Sequence, residues 1–143
     1  MKRMFLLIPL LLFISCNEDQ LKIVRKGIMA LDVATSEYQT NLTELYKTGA
    51  VSSHVFDESL KIINGSRDVM VRANEVLAGI DALDPANRTE LFSILGPLAK
   101  ELDPSTMPWI DTIGNSDTQK AVRVSILALR AAVHGLQLYL LFA

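Results

Sequence analysis

Two long stretches of this chain carry apolar side chains at alternating intervals of three and four residues. In the first, residues 21–48, the spaced positions are Leu21, Val24, Ile28, Leu31, Thr35, Tyr38, Leu42 and Leu45. This spacing puts the side chains on one face of an α-helix, so the stretch predicts a long amphipathic helix. Gly49 follows directly and can take the left-handed conformation that ends a helix.

A second amphipathic helix is predicted over residues 53–82, with Ser52 as its N-cap. Its spaced positions are Val55, Ser59, Ile62, Ser66, Val69, Ala73, Val76 and Ile80. Because only residues 49–51 separate the two helices, they are expected to form a long antiparallel hairpin. The small side chains on this second face indicate close packing by a neighbouring helix. A groove for a partner or an apolar ligand is the alternative.

The third predicted helix is short and broken. Asp84 and Pro85 form a good helix start. Proline has no backbone N–H, but an N–H in the first turn of a helix has no acceptor within the helix, so nothing is lost there. Gly96 and Pro97 are expected to kink or divide the helix. Residues 103–115 then predict an irregular connection. The side chains expected to hold that connection against the bundle are Met107, Trp109, Ile110 and Ile113.

The last predicted helix, residues 117–142, is apolar around most of its circumference. Ser116 and Gln119 form a capping box at its start. Such a helix is either the central element of a bundle or associated with a membrane. Arg130 and His134 argue against a transmembrane helix because of the cost of placing them at mid-bilayer, although residues 138–143 could enter a membrane surface. Residues 21–143 therefore predict a single all-α domain, an antiparallel bundle of about four helices.

The first residues of the chain are typical of a secretory signal. Lys2 and Arg3 precede an apolar run, residues 5–14, that is too short to span a bilayer as a helix. Phe13, Ile14, Ser15 and Cys16 follow, and Cys16 is the only cysteine in the chain. An ordinary signal peptide with an incidental cysteine is one interpretation of this segment.

The segment also resembles the bacterial lipoprotein precursors, in which the cysteine of such a tetrapeptide is lipidated and signal peptidase II cleaves before it. The resemblance implies that residues 1–15 are a signal peptide and that Cys16 is the lipid-attachment site. Residues 16–20 would then be a short spacer between the lipid and the bundle. It also implies a place in the bacterial cell envelope, on the periplasmic or outer-membrane side, with the chain held to the membrane by its N-terminal lipid.

Patterns that carry chemistry are missing from the sequence. The chain has 14 basic and 16 acidic residues, so it has no electrostatic footprint for nucleic acid. A di-iron bundle needs glutamate three residues before histidine, and neither His54 nor His134 has one. His54 with Glu58 gives too few ligands for a metal site. Arg130 and His134 are the only candidates for a reaction, and we predict no enzyme, no metal and no cofactor.

The function predicted from these features is a non-catalytic interaction or structural module of the envelope, with another envelope protein as its partner. The alternative is a carrier for a small apolar ligand such as a lipid, held between the small-residue face of the second helix and the apolar fourth helix. The same helical faces can serve a bundle within one chain or a dimer of hairpins, so the sequence leaves the oligomeric state open.

Overall fold

A computed structural model describes residues 19–143, and within this range the chain forms four α-helices and no strand. The helices are α1 (Gln20–Lys47), α2 (Ser53–Ala78), α3 (Pro85–Glu101) and α4 (Ser116–Phe142). Two short 3₁₀ helices, Pro104–Thr106 and Pro108–Thr112, connect α3 to α4. The predicted all-α bundle is confirmed. The predicted signal peptide and the lipid-attachment site at Cys16 lie outside the described residues.

Each helix packs against two neighbours, so the four helices form a closed square. α1 packs against α2 and α4, and α3 packs against the same two helices from the opposite corner. α1 and α2 run antiparallel. Tyr38 of α1 forms a hydrogen bond with Ser59 near the start of α2, whereas Arg25, earlier in α1, forms one with Leu77 near the end of α2. The hydrophobic core is therefore completed within one chain.

The apolar spacing of the sequence marks the core correctly. Of the spaced positions on α1, all from Leu21 to Leu42 are buried and only Leu45 is half-buried. On α2 the positions from Val55 to Ala73 are buried as well. The four side chains predicted to hold the connection, Met107, Trp109, Ile110 and Ile113, are all buried. Each large apolar side chain removed from water contributes about 1.5–3 kcal/mol, so these faces supply most of the drive to fold.

The hairpin has the predicted turn, but α2 is shorter than predicted. Gly49 has a φ of 72°, the left-handed conformation, and the Ser52 hydroxyl accepts the N–H of Val55 at 3.3 Å. α2 ends at Ala78 rather than at residue 82, and Gly79 is its C-cap. The Gly79 N–H donates to the carbonyl of Val76 at 3.2 Å as the helix ends, and half-buried Ile80 packs on the core from the loop.

The third helix begins where predicted but is not divided. The Asp84 carboxylate accepts the N–H of Asn87 at 2.8 Å, and Pro85 occupies the first turn. The helix then continues through Pro97 to Glu101, so the expectation that Gly96 and Pro97 divide it is wrong. Buried leucines on either side of the proline, Leu95 and Leu98, pack into the core, and this packing offsets the backbone hydrogen bond that proline removes.

The start of α4 uses a different cap from the one predicted. Asn115 is the N-cap, and its side-chain oxygen accepts the N–H groups of Asp117 and Thr118, both at 3.0 Å. The expected capping box of Ser116 and Gln119 is wrong. The Gln119 amide instead donates to the carbonyl of Ile110 at 3.2 Å, so it ties α4 to the preceding 3₁₀ helix.

Candidate functional site

A groove of about 660 Å³ runs along the outside of the bundle between α1 and α2. Its apolar lining includes Ile28 and Met29 from α1 and Met70, Val71 and Leu77 from α2. Met29 is 66% exposed and Val71 is 57% exposed, although both are apolar. Methionine side chains are flexible and polarizable, so a surface of this kind can adapt to the shape of a partner. We call this surface the α1–α2 groove.

The charges along the α1–α2 groove are two arginines and one aspartate. Arg25 donates to the main-chain carbonyl of Leu77 at 3.4 Å, and Arg67 donates to the side-chain oxygen of Gln39. Both of these acceptors are neutral. Asp32 lies in the same groove. The net charge beside the apolar lining is therefore positive, which favours an acidic ligand group.

The outer face of α4 carries a second set of exposed apolar side chains. They are Val124, Leu127, Leu138, Leu141 and Phe142. The predicted helix is apolar around most of its circumference, but only one side of α4 enters the core. α4 is long and apolar enough to cross a membrane by length and composition, and a third of its most apolar part is buried in the bundle. The packing of α4 against α1 and α3 accounts for its buried apolar side chains but not for the exposed ones.

The small-residue face of α2 is filled by α1. Ser59, Ser66 and Ala73 are all fully buried. The Tyr38 hydroxyl reaches across from α1 and donates to the Ser59 hydroxyl at 2.7 Å, while Ser66 donates to the carbonyl of Ile62. Burial raises the pKa of Tyr38 to about 12 despite that hydrogen bond. The contact of Ser59 with Tyr38 is an instance of the close interhelical packing predicted for this face.

The first histidine of the chain lies at the start of α2 and is exposed. Its neighbour Glu58 forms an ion pair with Lys61, with 2.6 Å between Nζ and Oε1. The hydrogen bond from Lys61 lowers the pKa of the Glu58 carboxyl, and His54 adds a smaller electrostatic effect in the same direction. Within residues 19–143, no group of three or more His, Cys, Asp or Glu side chains is placed to hold a metal ion.

The second histidine pairs with an arginine on α4. Arg130 Nε donates to His134 Nε2 at 3.3 Å, so that nitrogen acts as an acceptor. Arg130 also lies near Asp103, where hydrogen bonds from Ser105 are the main cause of a lowered carboxyl pKa. The hydrogen bond orients these two candidates for a reaction toward each other on the helix surface.

Comparison of the chain with protein-family models, with curated proteins and with solved structures gave no match.

The α1–α2 groove was not predicted, because the regular spacing of apolar residues identifies only the helix face that enters the core. The signal was nonetheless present in the sequence, because Met29, Val33 and Val71 are apolar and fall outside the spaced positions. Apolar side chains at such positions form a second stripe on a helix. When two neighbouring helices each carry one, an exposed apolar groove results.

Proposed function

We propose that the chain is a lipid-anchored protein of the bacterial envelope that binds an amphipathic helix of another envelope protein in its α1–α2 groove. The observation that carries the binding proposal is the exposed apolar lining of this groove beside Arg25 and Arg67. An amphipathic helix lays its apolar face into such a groove. Carboxylates on the partner would face the two arginines, because the arginines donate only to neutral oxygens within residues 19–143, those of Leu77 and Gln39.

The anchor follows from the resemblance to lipoprotein precursors, and it has a direct test. Replacing Cys16 by alanine is expected to abolish incorporation of labelled fatty acid, because the thiol that would carry the lipid is the only one in the chain. The measurement is autoradiography of the full chain after growth with labelled palmitate. A matched Ser15→Ala variant, which keeps a small residue before the cysteine, is expected to label normally. Continued labelling of Cys16→Ala would contradict the anchor.

The groove is tested by site-specific photo-crosslinking in intact cells. A photoreactive amino acid replaces Val71 in the groove or, as the control, Val124 on α4. Both side chains are valines of nearly equal exposure, 57% and 53%. We expect one discrete protein adduct from position 71 and none of the same mass from position 124. An adduct of lipid mass at position 71 would instead support a carrier for an apolar ligand.

Charge reversal then tests the partner's chemistry. Arg67→Glu is expected to lower the yield of the position-71 adduct by about tenfold, because a like-charge contact replaces an attractive one. Arg72→Glu is the control, since Arg72 is exposed on the same helix but lines the cleft between α2 and α3. Equal yields from the two variants would contradict an acidic partner at this groove.

A further inference from the structure

The end of α4 carries a compact group of exposed apolar side chains, which we call the terminal patch. It consists of Leu138, Leu141 and Phe142, which are 47%, 59% and 85% exposed. At 1.5 Å per residue, Leu138 lies only about 6 Å along the axis from Phe142. Half-buried Tyr139 is beside them. Transfer of apolar side chains out of water lowers the free energy, so the terminal patch favours apolar surroundings.

The chain enters the bundle at the same end. A Cβ on Gly27 of α1 would contact Leu136 of α4, and Asp19, just before α1, acts electrostatically on Tyr139 near the end of α4. Moving back along α1 therefore corresponds to moving forward along α4. The first residues of α1 and the terminal patch lie together at one end of the molecule.

We propose that the terminal patch inserts into the surface of the phospholipid bilayer. The proposal rests on the proposed function, because it takes Cys16 to be the site of the lipid. Cys16 is three positions before Asp19, so the two residues are at most about 11 Å apart. A lipid on Cys16 thus brings this end of the bundle to the headgroups. Apolar side chains of interfacial helices are buried about 5–10 Å into that region, which matches the height of the terminal patch.

The charge at this end fits a bilayer of neutral headgroups. Side chains of both signs lie here, among them Lys22, Lys26 and Arg88 and the acidic Asp19, Asp81 and Asp84. Because neither sign stands alone at this end, the apolar side chains provide the main attraction. Anionic lipid is not required.

The rest of the α4 face argues against a second copy of the chain as the occupant. Val124 and Leu127 are also exposed, but Leu127 is about 16 Å from Leu138 along the helix. Between them the face carries the small Ala131 and His134, which accepts a hydrogen bond from Arg130. A helix pair needs a continuous apolar seam, and this interruption breaks it.

The test uses the full chain, purified from bacterial membranes and reconstituted in phosphatidylcholine vesicles that contain lipid brominated on its acyl chains. Tryptophan replaces Phe142 in the terminal patch or, as the control, Leu127 farther along the same exposed face. Both positions are exposed, so neither variant disturbs the core. Buried Trp109 is kept in every chain. It lines the cleft with Glu58 and Lys61, at the opposite end of the bundle, and gives a common background.

We expect bromolipid to quench the added emission of Phe142→Trp by at least about twofold and to shift it to the blue, because the ring lies among acyl chains. The emission of Leu127→Trp is expected to be unquenched. If the protein sediments with the vesicles but the tryptophan at position 142 emits as it does in water, the lipid anchor stands and only insertion of the terminal patch is contradicted. Quenching at both positions would mean that the whole exposed face of α4 lies flat on the bilayer, and not that the terminal patch alone inserts. A blue shift without quenching would mean that a second protein covers the patch. Either result overturns the proposal. If no chain sediments with the vesicles, the proposed anchor fails as well.

Discussion

Gly27→Ala is expected to destabilise the bundle by about 1–3 kcal/mol, although alanine is the better helix former. A Cβ at this position would lie 2.2 Å from one methyl carbon of Leu136 and 2.8 Å from its Cγ. Leu136 is fully buried, so its side chain cannot turn away into solvent. The added methyl group must push α1 and α4 apart or force Leu136 out of its rotamer.

Gly65→Ala is the matched control, because Gly65 is also inside a helix. A Cβ there would approach only the carboxylate of Glu101, at 3.2 Å, and that side chain is exposed and free to shift. This variant is expected to gain about 0.5–1 kcal/mol from helix propensity. Urea unfolding followed by circular dichroism measures both. Equal changes in the two variants would show that the helices do not approach closely at Gly27.

The bundle is expected to lose stability above pH 10 through the buried Tyr38. Its pKa is about 12 in the folded protein and 10.0 in the unfolded chain. Between these values the unfolded chain releases the phenol proton while the folded protein keeps it, so ionisation favours unfolding. The full stability is present below pH 10 and falls as the pH rises toward 12. The loss is about 1 kcal/mol at pH 11.

The control for this pH dependence is Tyr38→Phe. It removes the ionisable group and the 2.7 Å hydrogen bond to Ser59, so stability at pH 8 is expected to fall by about 1 kcal/mol. Lysine ionisation in the same pH range affects both proteins alike. The difference between them, measured by urea unfolding at pH 8 and pH 11, should therefore shrink at the higher pH. A constant difference would show that Tyr38 ionises normally in the folded protein.

The helical framework could be predicted from the sequence because burial on one face of a helix imposes a regular spacing of apolar residues. The spaced positions of α1 and α2 became the core, and the caps at Asp84 and Ser52 were recognised from local hydrogen-bonding chemistry. Local chemistry was less decisive where several groups compete. At the start of α4, Asn115 and Ser116 are both good caps; Asn115 takes this position, and Gln119 donates to Ile110 instead of completing a capping box with Ser116.

The candidate site could not be predicted in the same way. Whether an apolar side chain outside the main spacing is exposed depends on which helix lies beside it, and this is a property of the tertiary arrangement. Val71 and Leu127 are exposed because no neighbouring helix covers those sides of α2 and α4. The continuity of α3 through Pro97 is similar, since it depends on packing of Leu95 and Leu98 rather than on the backbone alone.

The close approach of Gly27 to Leu136 joins the first described helix to the last one. In the order of synthesis, α1 is made early, but the surface that covers its glycine is made more than a hundred residues later. Contacts between residues so far apart form slowly, because the intervening chain must first be brought together. During synthesis the hairpin of α1 and α2 therefore has one apolar side exposed to water until α4 has been made. A chain stalled before α4 would present that side to chaperones and proteases.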